Sequence, residues 1–257
     1  MTDKIDLFPN LTAIAHPGAP EDQTKPVIDR RRAAIELAVF GALALALRIG
    51  FDPLFWRFAG PASLVATLAC LAFYLRRRGE GWSSFGLAPL KGVKAKLMVL
   101  PQALLVFGMF GAAVAGVLHG SEALGWTFMK TIPEGVEHRW GDVEGNLPMF
   151  LLWLGIVWTA AAFGEEMFFR GFLVSRGTAL FRGLPFGPAL AVLVAALLFG
   201  LGHFYYQGLR GLVMTAAIGI AFGAAFLLMK RNLWPIVLVH GLVDTINFTA
   251  LYLGLED

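Results

Sequence analysis

Seven stretches of this chain are each close to the ~20 apolar residues that a helix needs to cross a hydrocarbon layer. They run from Ala33 to Phe51, Ala59 to Leu75, Leu97 to Leu118, Leu147 into a charged motif ending at Gly171, Phe186 to Tyr206, Gly211 to Met229 and Leu233 to Leu253. In lipid every backbone polar group must be satisfied within its own segment or a closed barrel, so runs of this length fold as helices. They predict an all-α, polytopic transmembrane helix bundle of about seven spans, seven or eight. Only 15% of the 257 residues are charged and 57% are hydrophobic, against about 25% charged in soluble domains. A soluble enzyme is excluded.

Residues 1–29 are polar, carry four prolines and lack the basic-then-apolar layout of a signal peptide, and so read as a disordered cytoplasmic tail. Residues 30–257 form one helical domain. With the N-terminus inside, fifteen Lys and Arg fall on the cytoplasmic side and five on the other. That bias predicts an integral, multi-pass protein with a cytoplasmic N-terminus; the expected location is the plasma (inner) membrane of a prokaryote. The basic excess sits beside the spans, so nucleic acid is not expected as a partner; membrane lipid is. The single cysteine, Cys70, lies inside an apolar run; it allows no intrachain disulfide and reads as helix packing. In the connector 79–96, Trp82 and Phe85 with three lysines suit the headgroup layer. Gly116/Gly120 and Gly219/Gly223 have the spacing that lets helices approach closely.

From Leu147 to Phe163 no side chain ionises; then come Glu165, Glu166 and Arg170. Charge at membrane depth is costly unless paired or serving a cavity. At about 100° per residue, Glu166 and Arg170 share one line of a helix, while Glu165 points a quarter turn away. Glu166–Arg170 is therefore expected as a buried ion pair, leaving Glu165 as the unneutralised carboxylate, available as a general base.

Three further ionisable residues lie well inside apolar runs: His203, and His240 with Asp244 four residues on. A common cavity accounts for all of them. At 1.5 Å per residue Glu165 and His240 lie about 10–12 Å inside the same membrane face, with Asp244 a turn deeper. That face is the cytoplasmic one, so substrate access is expected from there. His203 is the misfit, because counting places it nearer the opposite face.

Together these residues resemble the CPBP family of intramembrane proteases, which includes type 2 CAAX prenyl endopeptidases and bacteriocin-processing Abi-like proteins. The family motifs EExxxR, FxxxH and HxxxN/D read here as Glu165-Glu166…Arg170, Phe199…His203 and His240…Asp244, in that order. The aromatic-Gly-Leu segment around Phe85-Gly86-Leu87 is also similar, and the likeness covers about residues 80–250. The resemblance implies that Glu165 and His203 activate a water, that His240 and Asp244 stabilise the developing charge, and that Glu166, Arg170 and Phe199 give structural support. The best-studied CAAX members carry Asn where this chain has Asp244. An ionised carboxylate cannot donate to an oxyanion as an amide can, so orienting His240 is the alternative role. Glu165, His203, His240 and Asp244 also make a zinc-type ligand set, which leaves a divalent metal such as zinc as an alternative cofactor.

The expected activity is hydrolysis of a peptide bond in a membrane-associated protein or peptide, including a prenylated tail. The alternatives are a non-catalytic membrane scaffold, chaperone or immunity factor on the same fold, and a proton-coupled transporter, for which the chain lacks visible paired repeats.

Overall fold

The structure, a computed structural model, describes residues 29–131 and 139–255. The expected tail falls almost wholly outside them. All regular structure among the described residues is helical. Among the described residues six helices are long and apolar enough to cross a membrane: α1 Arg30–Phe55, α2 Ala59–Arg77, α3 Gly92–Ala123, α4 Leu147–Leu180, α5 Gly187–Leu228 and α6 Trp234–Tyr252. The protein is a polytopic bundle.

The seventh run is found inside α5. Straight, 42 residues would span roughly 60 Å, twice a hydrocarbon core. Gly208 prevents this with φ 60° and ψ −154°, a backbone that glycine adopts without strain. Close approaches then pair Gly200 with Leu212 and Ala216, Gly219 with Ala196, and Gly223 with Val192. The paired positions rise on one leg as they fall on the other, so the legs 187–207 and 209–228 are antiparallel. Six helices thus supply seven apolar legs. Gly219/Gly223 serve this contact as expected. Gly116/Gly120 do not: each faces open space.

Polarity is inverted relative to a soluble protein. Leu45, Ile49, Leu100, Leu104 and Phe107 face outward, while Glu36, Glu166, Arg170 and Arg176 are buried. Lipid outside and paired charge inside is the arrangement that a bilayer allows. Cys70 is exposed on the outer face of α2, so it does not pack between helices.

α4 is the central element. Asn146 caps it by accepting from the Met149 N–H at 3.2 Å, and Pro148 occupies its first turn, where no N–H is needed. From Val157 to Val174 it widens into a π-helix. Its buried face packs Met167, Phe172 and Val174 into a core with Leu71, Phe85, Phe226 and Ile236. The connector 79–96 is therefore not only interfacial, since Phe85 is fully buried beneath the Arg176 guanidinium, 4.6 Å from its ring centroid.

One polar cluster was not foreseen. Glu36 on α1 accepts from Arg32, Tyr74 and Arg176, and Glu80 after α2 accepts from Arg32 and Arg176. Burial opposes the Glu80 charge, but Arg176 and Arg32 outweigh it and hold the carboxyl below its usual value. The cluster ties α1, α2 and the end of α4 together at the arginine-rich end of the bundle.

Candidate active site

The site grows from the π-helical part of α4. A π turn holds more residues than an α turn, so neighbouring side chains diverge by less than the α-helical ~100°. Glu165 and Glu166 consequently both reach one imidazole on α6 instead of pointing a quarter turn apart. Gly241 allows α6 the necessary approach: a Cβ there would lie 2.6 Å from the Trp158 ring.

Glu166 is fully buried. Its Oε1 accepts from Arg170 Nη1 at 2.9 Å and from His240 Nδ1 at 2.7 Å. The expected Glu166–Arg170 pair is present. Arg170 is held further by Phe199, with its Cζ 4.5 Å from that ring centroid, and by Phe222 at 5.3 Å. Phe199 thus links the second motif to the first.

A carboxylate only accepts, so Nδ1 of His240 carries the hydrogen. The other nitrogen faces the cavity. His240 Nε2 lies 3.5 Å from Asp244 Oδ2 and 3.9 Å from Glu165 Oε2. The longer separation suits a bridging water, not a direct bond. The orienting partner of His240 at Nδ1 is Glu166, a contact between helices that no spacing along the chain announces; Asp244 stands at Nε2.

His203 is fixed in the same way. Its Nδ1 donates to the Phe199 carbonyl at 2.9 Å, which leaves Nε2 as an acceptor. The ring sits between Phe199, centroids 4.6 Å apart, and Tyr206 at 5.7 Å. Its place near the reversal at Gly208 agrees with the depth counted along the chain, and it still lines the same cavity as Glu165, His240 and Asp244.

That cavity has a volume of 1670 Å³. Beside the first half of α1 its wall is apolar, with Leu37, Gly41, Leu173, Leu180 and Val194. Beside the second half it is polar, with Arg48, Asp52, Arg139, Tyr206 and Arg210. The polar end therefore lies away from Arg30–Arg32. Tyr206 and Arg139 were not anticipated as part of the wall. The signal for Tyr206 was its place three residues after His203, on the same helical face.

Among the described residues, no three His, Cys, Asp or Glu side chains are set to hold a metal ion. Nδ1 of His240 is bonded to Glu166 and Nδ1 of His203 to a carbonyl, which leaves Nε2 of each ring toward the cavity. No step below is routed through a metal.

Residues 147–246 match the family model described as Type II CAAX prenyl endopeptidase Rce1-like. The match begins with α4 and ends two residues past Asp244, so it contains all three motifs. No curated protein and no solved structure gives a match.

Proposed function

We propose, from the match of residues 147–246 to a CAAX prenyl endopeptidase family model, that the protein is an intramembrane endopeptidase in which Glu165 and His203 activate a water. The observation that carries this reading is the grouping of Glu165, Asp244 and His240 Nε2 within 3.9 Å on a cavity wall that also holds His203.

Glu165 is the base, its carboxylate close enough to His240 Nε2 for one water to touch both. The lone pair on His203 Nε2 is a second acceptor for that water. As the water attacks a peptide carbonyl, charge develops on the carbonyl oxygen. His240 in its doubly protonated form donates through Nδ1 to Glu166 and through Nε2 to that oxygen. A donor preorganised by a buried carboxylate is worth most in such a water-poor site. Asp244, as a carboxylate, supports the charge on His240 instead of donating to the oxyanion. The proton held by Glu165 passes to the leaving amine, which completes the hydrolysis.

The substrate is a membrane-associated protein or peptide. The apolar half of the cavity accommodates a lipid chain, so a prenylated C-terminal tail fits it, and the polar half accommodates the peptide. Cleavage of prenylated and unprenylated tail peptides by the protein in nanodiscs tests the proposal. Glu165→Gln keeps the shape and removes the base, and turnover is expected to fall by about 10²–10⁴-fold. Full turnover in that variant rejects the mechanism in favour of a non-catalytic role. Chelator in the same assay is expected to leave the rate unchanged.

A further inference from the structure

The groups that surround the reacting position are mostly acceptors. Glu165 and Asp244 are carboxylates, and Nε2 of His203 offers a lone pair. His240 Nε2 can donate, but Asp244 Oδ2 stands 3.5 Å and Glu165 Oε2 3.9 Å from it, and both compete for its hydrogen. An oxygen that gains charge beside two carboxylates is best met by a donor that neither of them holds.

Tyr206 carries a hydroxyl of that kind. It follows His203 by three residues, so both rings leave α5 on one face; their centroids are 5.7 Å apart, and both line the cavity. The ring is held on two further sides. Arg139 Cζ stands 4.3 Å from its centroid, and the Trp140 ring meets it edge-on at 6.5 Å. Trp140 is itself pinned, because its carbonyl accepts from Trp153 Nε1 at 2.8 Å and its ring packs on Trp153 and Phe248. A phenol fixed in this way keeps little freedom beyond rotation of its O–H. A tyrosine in such surroundings usually finds a hydrogen-bond partner, yet the Tyr206 hydroxyl makes no hydrogen bond among the described residues. Glu165, Asp244 and Arg139 all act on it electrostatically, which sets it beside the same centre. The neighbouring Tyr205 differs on each count, being exposed and donating to Asp52. Asn247 also lines the cavity, but it is exposed and no hydrogen bond fixes its amide.

We propose that Tyr206 is a further catalytic residue, whose hydroxyl donates to the scissile carbonyl oxygen as that oxygen becomes an anion. The phenol keeps its proton throughout. Water adds to the carbonyl carbon, and the hydrogen bond tightens on the oxyanion. It relaxes when the C–N bond breaks and the amine takes the proton from Glu165. A contact that is stronger in the transition state than in the bound substrate raises kcat and leaves KM nearly alone. The Arg139 guanidinium over the ring adds positive potential where the charge forms. The inference rests on the proteolytic reading, which stands without this donor.

The first test is cleavage of a farnesylated tail peptide by the full-length protein in nanodiscs. Tyr206→Phe removes one oxygen and keeps every ring contact. Its kcat is expected to fall about 10²–10³-fold, with KM within about twofold. A purely structural role for the ring predicts no loss. The second test needs no turnover. A phosphinate analogue of the same peptide, anionic and tetrahedral at the scissile position, is titrated in competition with the fluorophore-labelled peptide, in the Glu165→Gln background. Adding Tyr206→Phe is expected to weaken the phosphinate at least tenfold and to leave the parent peptide unchanged. Full kcat or an unchanged phosphinate affinity in Tyr206→Phe overturns the donor and leaves proteolysis standing. Equal weakening of phosphinate and peptide marks a general binding defect and also overturns it. A fall in kcat confined to Asn247→Ala gives the role to that amide and overturns it as well. No cleavage by the wild-type protein rejects the proteolytic reading, and the role of Tyr206 with it.

Discussion

Glu166 has two tasks that pull in the same direction. It neutralises a buried arginine, and it fixes which nitrogen of His240 faces the cavity. Glu166→Gln weakens both at once and leaves Arg170 without a charged partner. Breaking one side of a buried pair costs about 3–5 kcal/mol, so a marked fall in thermal stability is expected together with loss of turnover. Glu165→Gln, by contrast, is expected to lose turnover with little change in stability, since Glu165 lines a cavity and has no bonded partner closer than 3.9 Å. Unfolding temperatures of the two variants in detergent separate these outcomes; equal destabilisation contradicts the division of labour. The sequence announced the Glu166–Arg170 pair because both lie on one helix, four residues apart. It did not announce Glu166–His240, because a contact between α4 and α6 leaves no mark on the spacing within either. Nor did it mark Arg139 as a cavity residue, since a lone arginine between spans looks like any other loop cation.

At the level of helices, hydropathy gave the apolar legs and their order, including the break between Tyr206 and Gly211 at which α5 reverses. It withheld which faces of the two legs meet, because the apolar pattern within a leg does not name its partner. Only the pairing of Gly200, Gly219 and Gly223 across the reversal shows the two legs lying together. This pairing is brittle at Gly200, where a Cβ would stand 2.7 Å from the Leu212 carbonyl oxygen. Backbone cannot yield as a side-chain tip can, so Gly200→Ala is expected to cost about 1–3 kcal/mol, read as a lowered unfolding temperature. It is also expected to reduce cleavage, because His203 lies one turn further along the displaced leg. The same substitution at Gly116, which faces open space, is the control and is expected to be silent. The widening of α4 was equally hidden, since an apolar run reads the same whether its hydrogen bonds close α or π turns.

Across the whole molecule the two ends of the bundle differ in kind. At one end Glu36 and Glu80 are clamped by Arg32 and Arg176, with Tyr74 bonded to Glu36. Because Glu80 is held below the ordinary carboxylate value, its contribution to stability is complete above the unfolded value of about 4.3. It is lost as the pH falls through the lower folded value. Unfolding temperature is expected to drop on acidification into that range, and Glu80→Gln is expected to flatten the drop; an unchanged profile in that variant would falsify the clamp. At the other end lie the polar wall of the cavity, Arg139 and the reversal of α5. The lysine and arginine bias leads us to expect the clamped end in the cytoplasm and the polar end of the cavity on the outer side. With Cys70 replaced by Ala, single cysteines at Lys91 and Lys130 report the two ends. An impermeant maleimide is expected to label position 130 in intact cells and position 91 only after permeabilisation. The reverse pattern would turn the molecule over and give the site to cytoplasmic substrates, while leaving the chemistry around Glu165 and His240 as described.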